Sequence, residues 1–140
     1  MLQNALREDA LTVVQEGYEL RIGLPWIRSM PLSSVSGFSV RMDGVSVSDD
    51  LHVHLGERTV PAGALADEAG WWFIQDRLVL FIPAGPGDFG PGRHHVAVDF
   101  ELMVPYLRGG GEGPLVLPLH MEAMLLVRSP GAAEVSRDVA

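Results

Sequence analysis

The chain contains neither cysteine nor lysine. Lack of cysteine excludes disulfides, thiolate metal centres and a cysteine nucleophile. Lack of lysine excludes a phosphate-cradling loop of the Gly-Lys-Ser/Thr kind. All ten basic residues are arginines scattered singly along the chain, against eighteen acids, for a net charge of -8. A nucleic-acid binder needs a clustered positive footprint to displace counterions, and anionic membranes ask for the same. Neither partner suits this chain. No apolar run approaches the roughly 20 residues of a membrane helix. Glu8 and Asp9 stand where a secretory leader would carry basic and apolar residues, so a cytoplasmic location is expected.

What remains is a 140-residue chain, 47% hydrophobic and only 20% charged. Its length fits a single domain. So apolar a composition implies either a very dry core or apolar surface that meets a partner. Alternation with period two dominates. It runs through Tyr18–Leu24, through Phe38, Val40 and Met42, and through Leu51, Val53 and Leu55. Asp43-Gly44 is a strong hairpin-turn signal. Trp71–Ile74 and Arg77–Ile82 read as two further strands. The clearest pattern joins Val96, Val98, Phe100, Leu102, Val104 and Tyr106 on one face, and Leu115–Val127 alternates likewise around Pro118. Arg7–Gln15 is the one stretch suited to a short helix, and Pro61–Glu68 to a single turn. Short strands separated by Gly/Pro turns predict an all-β fold, an antiparallel β-sandwich of jelly-roll or immunoglobulin-like type. The expected organisation is a lead-in segment over 1–17, a sandwich over 18–128 and a flexible tail over 129–140.

Candidate chemistry is sparse. His52 and His54, two apart on a strand, point the same way and could share a metal ion, with Glu57 close behind and His94-His95 downstream. That arrangement loosely resembles the metal motifs of cupins. The competing reading places both imidazoles on the solvated face of an amphipathic strand. Ser34-Val35-Ser36-Gly37 lacks the first glycine and the strand-turn-helix setting of a nucleophile elbow. Asp99 and Glu101 share a strand face as paired carboxylates would, but alternating acids on such a face are mostly solubilising. No catalytic residue is assigned. The aromatics say more. In Trp71-Trp72-Phe73 neighbouring side chains face opposite sides, so one Trp enters the core while the other meets water or a partner. Two prolines around Trp26, Ile27, Arg28 and Met30 bar a regular strand and imply an apolar display loop.

Order and spacing along Tyr18–Leu107 resemble a known family. Tyr18–Ser33 is similar to its strand and "LPYYRG-x-x-LS" loop, with Trp26-Ile27 in place of the tyrosine pair and Ser29 for the glycine. Gly37–Gly44 matches its strand ending in a Val-Asp-Gly turn, and Glu57–Val60 its "GRTY" segment. Trp71-Trp72-Phe73 and Gly90–Val98 follow in order, the latter similar to its "L-x-PGEHEVEV" strand. The family is the β subunit of bacterial C-glycoside deglycosidases. The resemblance implies a subunit of a two-protein carbon–carbon lyase acting on 3-keto C-glycosides. It implies no cofactor bound by this chain, and a TIM-barrel α subunit that carries a divalent metal, Mn or Mg, and the acid–base groups. It makes Trp26, Arg28, Trp71 and Trp72 the candidate partner contacts. The alternatives are a cupin-like metal-binding protein using His52 and His54, or a stand-alone carbohydrate-binding sandwich.

Overall fold

A strand with alternating apolar side chains must bury one face, and this chain does so by packing two antiparallel sheets face to face. The computed structural model describes residues 5–83, 89–90, 92–108 and 113–128. Its strands are β1 (Leu11–Val14), β2 (Gly17–Gly23), β3 (Met30–Pro31), β4 (Val35–Met42), β5 (Val45–Ser46) and β6 (His52–Leu55). They continue with β7 (Arg58–Pro61), β8 (Trp71–Trp72), β9 (Arg77–Pro83), β10 (Arg93–Arg108) and β11 (Pro114–Leu126). One sheet runs β1-β2-β9-β6-β7 and the other β11-β10-β4-β5, while β3 and β8 form a small two-stranded sheet. Two short 3-10 helices, Leu32–Ser34 and Ala62–Asp67, connect strands. Among the described residues no helix is long and apolar enough to cross a membrane.

Leu20, Ile22, Val53, Leu78, Leu80 and Ile82 of the first sheet meet Val40, Met42, Val96, Val98, Phe100 and Leu102 of the second in one core. Each such side chain contributes about 1.5–3 kcal/mol by leaving water. The β10 alternation is realised as expected, with Val96 to Val104 inward and Asp99, Glu101 and Met103 outward. Asp43 and Gly44 take φ of 53° and 82°, the left-handed pair that a two-residue hairpin turn requires.

Residues 7–15 do not form the expected helix. The Ala10 N–H closes a turn on the Arg7 carbonyl at 3.0 Å, and β1 begins at Leu11. Thr12, Val13 and Val14 are β-branched and favour a strand. Gln15 and Glu16 then let β1 fold back on β2, pairing Leu11 with Leu20 and Val14 with Gly17. The segment assigned as a lead-in is therefore partly sheet. Ala5, Leu6, Ala10 and Leu11 are buried, and Gly23 donates to the Ala5 carbonyl at 2.9 Å. Asp9 fastens this segment further. Its carboxylate accepts both Arg77 terminal nitrogens, at 2.8 and 3.2 Å, with each side chain about 3% exposed. The strand expected over Trp71–Ile74 stops at Trp72, because the Ile74 N–H turns to the Ser29 hydroxyl at 2.8 Å. The expected tail over 129–140 and the Gly109–Gly111 turn lie outside the described residues.

Candidate functional site

The small β3–β8 sheet anchors the loop that carries Trp26. Met30 pairs with Trp72 and Pro31 with Trp71, and the Leu32 N–H reaches the Gly70 carbonyl at 3.0 Å. Alternation then sends the two tryptophans to opposite sides. Trp72 is fully buried, 5.9 Å from Phe100 between ring centroids, and its indole N–H donates to the Asp76 carbonyl at 3.2 Å. Trp71 faces out, 47% exposed. Asp76 closes the following turn by donating its N–H to the Phe73 carbonyl at 2.9 Å, which leaves Phe73 and Ile74 exposed beside Trp71. Across the small sheet, the Trp26 loop displays Ile27 at 70% exposure. The result is an apolar ledge on a base held by backbone pairing and a buried Trp.

Of the residues singled out in the sequence, Trp71 and Arg28 lie at the surface and Trp26 is half-buried against the core. Trp72 is a correction among the partner contacts. A ring with no exposed surface cannot touch a second protein, and its place is beneath the ledge. Phe73 and Ile74 are the exposed apolar side chains next to Trp71. Strand alternation would send Phe73 outward with Trp71 but Ile74 inward with Trp72. Ile74 is exposed because the strand ends at Trp72, and the Ser29 bond that ends it comes from 45 positions away.

The histidines are spent on local partners. His52 and His54 do share a face, as their spacing predicts. The His52 Nδ1 bonds to the Asp50 carbonyl at 2.8 Å. The His54 ring lies between the Thr59 hydroxyl at 2.8 Å and the Glu19 carboxylate at 3.3 Å. Among the described residues no three His, Asp or Glu groups converge as a metal-ligand set. His94 is buried, with Nδ1 2.6 Å from an Asp43 carboxylate oxygen and Nε2 2.9 Å from the Gly90 carbonyl. Both neighbours only accept, so both ring nitrogens must carry protons and neither lone pair is left for a metal. Burial works against this charge, but the Gly90 and Asp43 hydrogen bonds outweigh it and raise the His94 pKa. The His95 N–H and the His94 ring together lower that of Asp43.

A second charged cluster lies on the outer face of β10 and β11. His120 bonds to Asp99 and Glu122, each at 2.7 Å, and His95 stands 3.5 Å from Glu122. Glu122 and Asp99 raise the His120 pKa, while His120 lowers that of Glu122. This face is open to solvent, and Asp99 is committed to His120 rather than paired with Glu101. No local sequence signal marks the cluster, because its members meet only once β11 is in register. At Ser34 the chain leaves a 3-10 helix into strand β4, so the setting of a nucleophile elbow is missing there. A cleft of about 320 Å³ between Phe38, Ser48, Asp50 and Pro61 carries a single carboxylate. The Ser48 hydroxyl beside it is engaged with the Val40 N–H at 2.9 Å.

Comparison with known proteins bears on this surface. A family described as C-glycoside deglycosidase beta subunit matches residues 2–106. The C-glycoside deglycosidase beta subunit of Arthrobacter globiformis is 31% identical over 110 residues, covering 76% of this chain and 83% of that protein. The 3'-dehydrocarminate deglycosidase beta subunit of a Microbacterium species is 29% identical over 109 residues, covering 75% and 80%. The family match takes in the whole ledge and ends within β10.

Proposed function

Since this chain belongs to the C-glycoside deglycosidase beta subunit family, we propose that it is the small subunit of a two-protein lyase. That lyase releases the aglycone from 3-keto C-glycosides by elimination. The ketone at C3 of the sugar acidifies the neighbouring C2–H. A base removes that proton, a C1–C2 double bond forms, and the bond from C1 to the aglycone carbon breaks. The bonding electron pair leaves with the aglycone carbon, which then takes up a proton. An anhydro-enulose sugar and a free flavonoid- or anthraquinone-type aglycone result, without hydrolysis. On this reading the acid–base groups belong to a larger TIM-barrel subunit, together with a divalent metal, Mn or Mg, that would stabilise negative charge on the sugar oxygen.

This chain's part is to bind and brace that subunit. The ledge is the observation that carries the reading, because exposed Ile27, Trp71, Phe73 and Ile74 are the residue types that anchor interfaces. Their base is preorganised by the β3–β8 pairing, so docking needs little ordering of side chains. The test is release of free aglycone from a 3-keto C-glucoside by the larger subunit alone, by this chain alone, and by both together. Cleavage in the mixture only is expected. Equal cleavage by the larger subunit alone would overturn the reading, and saturable binding of a glycoside by this chain alone would favour a carbohydrate-binding module instead.

A further inference from the structure

The free edges of the two large sheets are protected unequally. β7 is four residues long and carries Arg58 and Pro61, and β5 has two residues. β1 is covered where the Arg128 N–H donates to the Leu11 carbonyl at 3.0 Å and the Arg128 carbonyl accepts from Val13 at 2.8 Å. β11 differs. It runs for thirteen residues, and among the described residues nothing pairs with its outer side short of Arg128. Val127 donates inward, to the Gly92 carbonyl, while Arg128 bonds outward to β1. Continuing that alternation, the even-numbered positions of β11 direct their N–H and C=O toward the open edge. Pro118 is even-numbered, so the donor it lacks is one of the outward ones, and the β10 ladder is unbroken across it. Val116, Met124 and Leu126 are exposed on one face, and Leu115, Leu117, Leu119 and Met121 are half-buried on the other. An edge this long with so little charge is a pairing template.

We propose that β11 pairs antiparallel with β11 of a second copy of this chain, about a two-fold axis at Met121, joining two four-stranded sheets into one. Charge selects both the occupant and the register. Centred on Met121, each His120 stands opposite Glu122 of the other copy. Pro118 then faces Met124 and Val116 faces Leu126, while on the inner face Leu119 meets Ala123 and Leu117 meets Leu125. Every charged group meets its opposite and every apolar group an apolar one. Centring on His120 or Glu122 sets like groups against each other. Centring on Leu119 sets His120 against Pro118 and Glu122 against Val116, and centring on Ala123 sets them against Leu126 and Met124. The outward groups of His120 and Glu122 exchange both backbone bonds in the favoured register, and Pro118 alone withholds a donor. A surface that is its own complement is what a two-fold dimer requires. β11 lies beyond the residues matched by the family, and this inference does not depend on the lyase reading.

The test is the mass in solution of the full 140-residue chain by sedimentation equilibrium, with circular dichroism to confirm folding. The wild-type chain is expected at twice its 15.2 kDa. His120→Glu alone and Glu122→Lys alone each lower the mass twofold, since like charges then face each other across the axis. Mixing these two variants restores the doubled mass, because the acidic pair of one copy then meets the basic pair of the other. Met124→Pro removes an outward donor without touching the β10 ladder and halves the mass by an independent route. A wild-type chain of single mass at all concentrations would overturn the proposal, as would a mixture that stays monomeric. So would variants that keep the doubled mass but lose the larger subunit, because a strand of that subunit would then be the occupant of this edge.

Discussion

Replacing Asp9 with alanine strands the Arg77 guanidinium, charged and enclosed. In the native chain the two groups form a bidentate pair at 2.8 and 3.2 Å, each side chain about 3% exposed. The Arg77 Nε already lacks a partner among the described residues. Removing one member of such a pair costs about 3–5 kcal/mol, because the survivor keeps its desolvation penalty and loses the charge that offset it. That is a large share of the roughly 5–15 kcal/mol that stabilises a domain of this kind. At about 4 °C per kcal/mol for a chain of this length, the melting temperature should fall by roughly 12–20 °C. The loss should begin locally, since Asp9 tethers the segment whose Ala5 and Ala10 carbonyls accept from β2. Hydrogen exchange at Arg21 and Gly23 should therefore quicken more than at Leu80. Urea denaturation of Asp9→Ala and of the double replacement Asp9→Leu/Arg77→Met separates charge from shape, because the double variant removes both charges and should recover most of the loss. A loss under about 1 kcal/mol in Asp9→Ala, or a double variant no better than the single, would refute the reasoning.

Four further outcomes follow from the same geometry. Trp71→Ala should leave the melting temperature nearly unchanged while weakening assembly with the larger subunit by about 2 kcal/mol, roughly thirtyfold in Kd, read by titrating activity. Trp72→Ala should cost about 3–5 kcal/mol of folding stability instead, seen in urea melts. The Asp43–His94 pair should make stability depend on pH from both sides. The lowered Asp43 pKa contributes above the usual aspartate value near 3.9 and fades as pH falls through its lower folded value. The raised His94 pKa contributes below the usual imidazole value near 6.5 and fades as pH rises through its higher folded value. Wild type minus Asp43→Asn, measured by thermal melts across pH, should be largest between those limits and shrink at either side. Gly44→Ala should lose about 1–2 kcal/mol, because nothing crowds a new Cβ but a φ of 82° strains it.

The β10 strand was readable because a half-buried strand writes its inner face directly into every second residue. The Asp43-Gly44 turn was readable because only a few residue types accept two successive positive φ values. Residues 7–15 misled for a physical reason: a segment this short shows helical and strand spacing about equally well, and the partner that decides, β2, lies outside the window. The same limit governs the site. A tandem of aromatics announces that one ring must stay outside, but which one depends on the register of Met30 with Trp72. The His94–Asp43, His120–Asp99 and Arg77–Asp9 contacts join residues 51, 21 and 68 positions apart. No local pattern carries such pairings. The His52–His54 spacing, by contrast, did put both rings on one face, and their neighbours decided what those rings do.

The stitch between Arg128 and β1 also bears on how the chain reaches its fold. Arg128 bonds to Leu11 and Val13, and its Nε donates to the Glu8 carbonyl from 120 positions away. Contacts of such separation must close nearly the whole chain into a loop before they return any stabilisation, so they form late. Joining the segment that follows Arg128 to the segment that precedes Glu8 through a linker, and reopening the chain at the exposed Asp49-Asp50 turn, would make the same contacts local. A permuted chain of equal stability that refolds faster would identify that closure as the slow event.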